Sequence, residues 1–372
     1  MKQGWEIKKL GEVCNINYGT RVVQKKDGGT IYPVYGGGGA TFKMDRYNRE
    51  DCLIVSRFAM SNQCVRYVSG KFFLNDSGLT IESNESELSQ SFLDRHITAL
   101  NDTIYSLGKG VAQKNLDVKE LRLLDIKYPK SREEQERIVE ELDCLSGVIE
   151  KKREQLKQLD ALAQSIFYTI FGDPITNEKG WEIKPLKNSV IEMFLGPFGS
   201  ALKTDCYVSK EEAYCMVYEQ KHAIKKTMEL ETHYIDKDKF ESLKRFEVHS
   251  GDFIMSCRGT IGEIYRLPND APIGIIHPSL MKIRIREDIY HPIFFVRLLT
   301  RIVKNENTNG NCVQMAITAK ELGAREPIVP PLALQQEFAD KIEAIEKQKE
   351  LIKQSITQTE TLFNARMDYY FN

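Results

Sequence analysis

The sequence predicts an α+β protein with two homologous globular domains separated by two long antiparallel helices and related by a pseudo-two-fold internal repeat. Three observations predict this fold. Motifs of the first half of the chain return in the second half, each half closes on an apolar stripe of helical period, and short strand-like and helical segments precede each stripe. The predicted boundaries are 1–129 for the first domain, 130–172 for the first helix, 173–330 for the second domain and 331–372 for the second helix.

The repeat is visible in three pairs of segments. Residues 4–10, Gly-Trp-Glu-Ile-Lys-Lys-Leu, return almost unchanged at 180–186. Residues 51–57 and 113–121 align with 252–258 and 314–322, at a larger offset that both pairs share. Two different offsets indicate an insertion in the second half, between Ala213 and Gly251, and two large homologous halves rather than many small repeats.

Strand-like and helical segments mix within each half. Apolar runs predict buried strands at 53–55 and 79–81, and again at 253–255 and 281–285. Helical patterns follow at 91–100 and 293–303. Each globular part is therefore expected to combine helices with strands around a core of its own.

Each half ends in a predicted helix of about 60 Å. The first helix begins at a capping box, Ser131 to Glu134, and ends at Gly172-Asp173-Pro174. Lys152 and Lys349 interrupt the two stripes, whose apolar members are Ile138, Leu142, Leu145, Ile149, Leu156, Leu159, Ala163, Ile166 and Ile170 in the first and Phe338, Ile342, Ile345, Ile352, Ile356, Phe363 and Tyr370 in the second. We expect the two stripes to pack against each other in antiparallel orientation, because this is the simplest way to bury both.

Composition indicates a globular chain with no overall attraction to nucleic acid. Among 372 residues, 41% are hydrophobic, and 52 basic residues balance 53 acidic ones to a net charge of −1. Any DNA-binding surface must therefore be local. No apolar run approaches 18 residues and the start does not resemble a signal peptide, so we expect a cytoplasmic protein without membrane contact. The eight cysteines form no CxxC pair, which favours reduced thiols.

Motifs for catalysis are missing. The glycine run 36–39 is followed by Ala-Thr-Phe-Lys, whereas a phosphate-binding loop would continue with Gly-Lys-Ser/Thr. The Asn/Asp-Pro-Pro-aromatic tetrad of amino-methyltransferases has no match, and the six histidines lack metal-ligand spacing. We therefore expect a chain that is not an enzyme and binds neither a cofactor nor a metal.

The order of motifs resembles the specificity (S) subunit of type I restriction-modification systems. Each half opens with Trp-Glu-Ile-Lys-x-Leu and closes on proline, Glu/Gln-Gln and a long helix. Further matches are the segments 32–39, 196–203, 134–139 and 334–337. The resemblance covers essentially the whole chain, and it is the duplicated order of these strings that makes it specific.

The resemblance implies a non-catalytic subunit with two target-recognition domains, each of which reads half of a split, asymmetric site in double-stranded DNA. The helices separate the two readers and dock two modification subunits, which carry S-adenosylmethionine and methylate adenine. Restriction subunits, which use ATP and Mg²⁺, complete an endonuclease. The second stripe departs from this pattern, because Lys349, Thr359 and Arg366 occupy core positions, so we expect it to be the less apolar of the two.

Candidate DNA-binding residues are basic or amide side chains of the two domains, since phosphates attract lysine and arginine while arginine and glutamine can read base edges. Arg57 and Arg258, and likewise Gln113 and Gln314, recur at matching positions and could serve as base readers, phosphate anchors or parts of the fold. The other candidates are Arg21, Lys25, Lys26, Lys43, Arg46, Lys109 and Lys114 in the first domain and Lys203, Lys221, Lys225, Lys226, Lys282 and Arg284 in the second.

Three other functions remain compatible with the sequence. One is a coiled-coil scaffold whose globular ends bind protein. Another is the recognition subunit of a methyltransferase or nuclease of a different restriction type. A fused methyltransferase or nuclease is the third, and the missing motifs argue against it. The DNA target and its spacer length cannot be derived from the residues, because readout also depends on loop geometry and DNA deformability.

Overall fold

The structure is a computed structural model that describes residues 4–111, 113–309 and 316–371. The chain divides into two compact units. Unit 1 comprises Met1–Gln155 and Ile352–Asn372, and unit 2 comprises Leu156–Leu351. Each unit therefore contains a globular part together with portions of both long helices.

The described residues of unit 1 form ten strands and five short helices before the first long helix. The strands are β1 (Trp5–Lys9), β2 (Cys14–Tyr18), β3 (Tyr32–Tyr35), β4 (Ala40–Met44), β5 (Arg49–Ser56), β6 (Val65–Leu74), β7 (Gly78–Ser83), β8 (Gly108–Lys109), β9 (Asn115–Leu116) and β10 (Asp125–Pro129). The helices are α1 (Leu10–Val13), α2 (Gln24–Asp27), α3 (Gln90–Ala99), α4 (Asn101–Ser106) and α5 (Val118–Arg122). The first long helix, α6 (Arg132–Phe171), follows.

Unit 2 continues with α7 (Leu186–Ser189), α8 (Gln220–Lys225), α9 (Lys237–Ser242), α10 (Pro292–Asn309) and α11 (Ala319–Gly323). Its strands are β11 (Val190–Leu195), β12 (Cys215–Tyr218), β13 (Tyr234–Ile235), β14 (Glu247–Val248), β15 (Phe253–Ser256), β16 (Ile264–Arg266), β17 (Gly274–Ile276) and β18 (Leu280–Ile285). The second long helix, α12 (Leu332–Phe371), closes the described chain.

A six-stranded sheet forms the centre of unit 1, with the strand order β2-β7-β5-β6-β3-β4. The predicted strands at 53–55 and 79–81 are β5 and β7, which pair antiparallel in its middle. Their inward side chains pack on α3 and on the start of α6, and Leu53, Leu79, Phe92 and Ile138 are all buried there. This core fixes the central strands, and with them the loops at both ends of the sheet.

Unit 2 has two four-stranded sheets, β11-β18-β15-β16 and β13-β12-β17-β14. The predicted strands at 253–255 and 281–285 are β15 and β18, which pair antiparallel. An aromatic cluster buries them against α10 and the long helices, and Phe167, Phe294 and Phe338 lie at its centre. Strands β12, β13 and β14 belong to the segment that the repeat identifies as an insertion.

The internal repeat is confirmed at the level of single backbone bonds. The amide of Leu10 donates to the Leu124 carbonyl at 2.8 Å, and the amide of Leu186, its repeat partner, donates to the Arg325 carbonyl at 2.8 Å. Asp117 caps α5, and Thr318 caps α11 at the matching position. The α+β fold with an internal repeat is therefore as predicted.

A buried glutamine anchors each long helix to its globular part. Gln135 and Gln335 are fully buried, and the Oε1 atom of each accepts a backbone N–H at 2.8 Å, from Ser89 and His291 respectively. The Nε2 of Gln135 donates to the carbonyls of Glu87 and Pro129, and Gln335 makes the same pair of bonds in unit 2. The Gln that the motif places at each helix start thus satisfies three backbone groups where the helix joins its globular part.

The long helices run antiparallel within each unit. In unit 1, Glu141 of α6 bonds to Arg366 and Tyr370 near the end of α12, whereas Lys152 bonds to Ser355. Unit 2 shows the same reversal of order, with Asp160 paired to Lys349 and Phe167 packed on Phe338. The polar residues that interrupt the stripes therefore find polar partners across the helix pair.

Candidate nucleic-acid interface

Unit 1 gathers several chain reversals at one end of its sheet. Tyr18 at the end of β2 pairs with Leu79, and Ser56 at the end of β5 pairs with Gly78 at the start of β7. The loops that follow β2 and β5 and precede β7 therefore lie side by side. We call these loops, residues 19–21, 57–60 and 75–77, edge 1.

Unit 2 repeats this arrangement. Leu195 at the end of β11 pairs with Met281, and Ser256 at the end of β15 pairs with Leu280 of β18. The corresponding loops, residues 196–198, 257–260 and 277–279, form edge 2. A matching bond fixes each edge: Gly19 N–H donates to the Gly78 carbonyl at 3.0 Å, and Gly196 N–H donates to the Leu280 carbonyl at 2.9 Å.

A hairpin brings further candidates to edge 1. Strands β8 and β9 pair between Lys109 and Asn115, and the amide of Leu116 donates to the Arg57 carbonyl at 2.8 Å. The hairpin therefore lies against the loop after β5 and places Lys109, exposed Gln113 and half-buried Lys114 beside edge 1. In unit 2, Ile317 N–H donates to the Cys257 carbonyl at 3.0 Å, whereas Gln314 lies outside the described residues.

Arg57 is held by two aromatic rings. Its guanidinium carbon lies 4.8 Å from the centre of the Tyr18 ring and 4.5 Å from that of Phe58. Stacking of this kind orients the planar guanidinium while leaving its N–H groups free to donate, which suits bidentate recognition. Phe58 is the next residue in the sequence, but the contact with Tyr18 is not evident from the sequence. It arises because β2 and β5 both pair with β7, which brings Tyr18 close to Arg57.

The sequence aligns Arg258 with Arg57, but the structure shifts this match by one residue. The Arg57 N–H donates to the Ser77 carbonyl at 2.8 Å, and it is the Cys257 N–H that donates to the Ser279 carbonyl at 3.0 Å. Arg258 therefore lies one residue further along the loop. Its side chain is exposed, and its backbone bridges to Ala316. Within the described part of unit 2, no acidic side chain forms an ion pair with it. Edge 2 therefore presents a free cation where edge 1 presents an oriented one.

The glycine run 36–39 packs against edge 1. A Cβ on Gly37 would lie 2.1 Å from the Phe58 carbonyl oxygen, so only glycine allows this approach. The Ser56 hydroxyl donates to the Gly37 carbonyl at 2.6 Å, and Arg66 donates to the carbonyls of Gly37 and Gly38. The run thus supports the loop after β5 and recruits Arg66, a cation that the sequence did not single out.

Backbone strain also marks this loop. Ala59, two residues after Arg57, has a φ of +50°, which an alanine adopts at a cost of about 1 kcal/mol. Its N–H donates to the side chain of Asn115 in the hairpin at 3.3 Å. Strained positions of this kind concentrate at functional sites, which agrees with the placement of the candidates here.

The remaining unit 1 candidates lie in two places. Exposed Arg21 belongs to edge 1. Lys25 lies on α2, and Lys43 and Arg46 lie on or just after β4, the strand at the opposite side of the sheet from β2. Arg46 approaches Asp27 at 3.8 Å. The structure therefore does not bring these three cations to edge 1.

Ion pairs occupy several of the candidate lysines, among them Lys109 and Lys221. Lys109 pairs with Asp117 at 2.6 Å. Lys221 pairs with Glu219 at 2.6 Å beside His233. Although partial burial opposes its charge, the bonds from Lys221 and His233 hold the pKa of Glu219 below its usual value.

Lys282 corrects the sequence-based assignment. Its side chain is 4% exposed, and its ammonium group contacts Glu192 at 2.8 Å, Asp252 at 3.4 Å and the Glu247 carbonyl at 2.8 Å. An ammonium group has three hydrogens, so none remains for a phosphate or a base. Arg284 is engaged by the same Asp252, which raises the pKa of its guanidinium group. Both cations therefore balance a buried carboxylate inside unit 2.

Lys203 is exposed between two 3-10 turns that follow edge 2. Lys225 and Lys226 are also exposed, and Lys226 pairs with Glu263 at 3.0 Å.

Among the described residues, no group of three or more His, Cys, Asp or Glu side chains is arranged to hold a metal ion. None of the described helices is long and apolar enough to cross a membrane.

Comparison with known proteins shows which proteins this chain resembles. Residues 2–161 match the model of the type I restriction modification DNA specificity domain. No curated protein sequence matches the chain. The chain shares its fold with the S subunit of the type I restriction-modification system of M. genitalium, at 15% identity and a TM-score of 0.60, over 99% of this chain and 96% of that one.

A second solved structure, determined to explain complex assembly and conformational transition of the type I R-M system, matches at 16% identity and a TM-score of 0.63. The match covers 100% of this chain and 98% of that one. Residues 2–161 therefore resemble a type I restriction modification DNA specificity domain, and the chain as a whole has the fold of the specificity subunit of M. genitalium.

Proposed function

We propose that this chain is the sequence-recognition subunit of a type I restriction-modification complex, and that it reads a bipartite, asymmetric site in double-stranded DNA. The observation that carries the proposal is the equivalence of the two edges. Each unit presents the same three loops at the end of the same strands, but with different side chains. Two homologous readers with divergent surfaces suit two half-sites of different sequence.

Edge 1 and edge 2 are the surfaces assigned to DNA. Arg57 and Arg258 lie in the corresponding loops after β5 and β15, and we assign them to base edges, where a bidentate arginine prefers guanine. Arg21 and Lys114 on unit 1 and Lys203 on unit 2 are assigned to phosphates or flanking bases. The formal charge of the chain is −1, so attraction to DNA depends on these local groups.

The chemistry of the complex belongs to its partners in this proposal. Two modification subunits would hold S-adenosylmethionine and methylate adenine, and restriction subunits would use ATP and Mg²⁺. The long helices are the proposed docking elements, which agrees with their exposed outer faces in both units. Such a chain acts in the cytoplasm, where the DNA of a bacterial cell is found.

Methylation mapping tests the proposal. The chain is expressed with a modification subunit encoded beside its gene, and methylated adenines are mapped across the host genome. We expect a single split motif when both proteins are present, and no methylation when either is expressed alone. Methylated adenine with this chain as the only added protein would refute the non-catalytic assignment, and a continuous motif would refute the two-reader assignment.

An exchange of one reader tests the division of labour. The part exchanged with a relative should be unit 1 as a whole, Met1–Gln155 together with Ile352–Asn372. The C-terminal segment belongs to this unit because the ring of Phe371 packs on that of Phe92 in α3, with 5.3 Å between the ring centres. We expect one half-site to change and the other to stay. A simultaneous change in both half-sites would show that the units do not read independently.

A further inference from the structure

Phe198 is a large aromatic residue of edge 2 that is almost fully exposed. Its side chain is 90% exposed, although a phenylalanine side chain is more stable when it is buried. Single exposed apolar residues are common and by themselves indicate nothing. The position of Phe198 and the rigidity of its loop are what set it apart.

The loop that carries Phe198 is fixed on both sides. Gly196 is bonded to Leu280, and a Cβ at Gly196 would lie 2.3 Å from the His277 carbonyl oxygen, so the loop packs closely on the start of β18. Pro197 restricts the backbone immediately before the phenylalanine. The Ala201 N–H then donates to the Phe198 carbonyl at 2.8 Å and begins a 3-10 turn. The phenyl ring is therefore presented outward from an anchored backbone.

The repeat assigns Phe198 the same place as Arg21. Gly19 and Gly196 are equivalent by their matching bonds to β7 and β18, and each is followed two residues later by an exposed side chain. Unit 1 offers a guanidinium group at this point and unit 2 offers a phenyl ring. A position that keeps its backbone geometry and changes its chemistry is expected where two readers distinguish different sequences.

We propose that Phe198 inserts as a wedge at a base step of the half-site read by unit 2. This inference rests on the proposed function. Apolar side chains that enter DNA unstack a base step and kink the duplex, and pyrimidine–purine steps yield most readily. Exposed Lys203 follows the same edge and supplies attraction to a nearby phosphate. Unit 2 therefore reads part of its half-site through DNA deformability.

The test uses the complete complex with its modification subunits, and a duplex that carries the mapped site. 2-Aminopurine replaces each purine of the second half-site in turn, because its fluorescence rises when stacking is lost. The variants are Phe198→Ala and Phe198→Trp, with Ile191→Ala as the control. Ile191 is 62% exposed on β11 of the same unit but lies outside edge 2.

We expect the wild-type complex to raise the fluorescence at one base step of the second half-site. Phe198→Ala should abolish this rise and weaken binding to the specific site by about 10-fold, since base–aromatic stacking contributes 1–3 kcal/mol. Phe198→Trp should keep both signals, and Ile191→Ala should behave as wild type.

The outcomes separate this inference from the proposed function. If wild type binds the site specifically and Phe198→Ala matches it in affinity and fluorescence, the wedge is refuted and the recognition function stands. Weakened binding of the modification subunit with unchanged DNA affinity would also refute the wedge and assign Phe198 to a protein contact. If the wild-type complex shows no preference for any DNA sequence, the proposed function itself fails.

Discussion

Replacement of Gln135 by methionine tests whether one buried side chain anchors α6 to unit 1. Methionine has a similar length and flexibility but no amide group. The change leaves three backbone groups without their present partner: the Ser89 N–H and the carbonyls of Glu87 and Pro129, now at 2.8, 2.7 and 2.7 Å. At about 1 kcal/mol or more for each unsatisfied buried group, the free energy of unfolding of unit 1 should fall by about 3 kcal/mol.

Calorimetry provides the measurement. A loss of this size corresponds to a decrease of roughly 6–12 °C in the melting temperature for a domain of 150–250 residues. Gln335→Met should lower the stability of unit 2 in the same way, because its three bonds are equivalent. Gln336→Met is the matched control, since Gln336 is exposed and bonds only to Asp340 one turn further on.

The expected order is therefore a large loss for Gln135 and Gln335 and a change within about 0.5 kcal/mol for Gln336. If Gln135→Met melted within 1 °C of wild type, the backbone groups would have other partners, and the anchoring role would be wrong.

Three further predictions concern stability. Burial lowers the pKa of His96 from 6.5 to about 3, while the unfolded chain protonates near 6.5. Stability should therefore fall by about 1.4 kcal/mol per pH unit from pH 6.5 downward. Denaturant titrations at pH 7.5 and 5 should show that His96→Leu removes this loss of stability, and an equal loss in wild type and variant would contradict the prediction. The bond from Arg366 holds the pKa of Glu141 below its usual 4.5. The stability that the pair contributes should therefore be complete above pH 4.5 and should decline as the pH falls through the folded pKa. The difference in melting temperature between wild type and Glu141→Gln should become smaller between pH 6 and 3, and a constant difference would refute the pairing. Ala59→Gly should leave unit 1 as stable or make it up to about 1 kcal/mol more stable, because glycine adopts a positive φ without strain, and a loss above 1 kcal/mol would show that the Ala59 methyl group contributes packing.

The repeat and the long helices could be predicted because they depend on local patterns. The Trp-Glu-Ile-Lys motif forms strand β1 in the first half, and in the second half it returns with the same bond from its leucine, Leu186. Gly172, expected to end α6, has the positive φ of +74° that a glycine stop requires.

The environment of the candidate side chains could not be predicted, because it depends on sheet register. Lys282 lies in a strand of alternating apolar residues, where a lysine is normally solvated, yet a buried carboxylate, Asp252, holds it inside. Tyr18 lies 39 positions before Arg57 in the sequence and meets it only because β2 and β5 both pair with β7. Residue type identified the cations, and tertiary structure decided which of them remain available.

The most direct test of the account compares Arg57→Ala with Arg258→Ala, one arginine from the loop after β5 and one from the loop after β15. Each variant is expressed with the modification subunit, and the methylated motif is mapped across the genome. The account predicts that each variant relaxes discrimination at one base pair, by the 1–3 kcal/mol that a bidentate arginine contributes, in one half-site only and in a different half-site for each variant. A change of both half-sites by one variant, or an unchanged motif with uniformly weaker binding to every sequence, would contradict it.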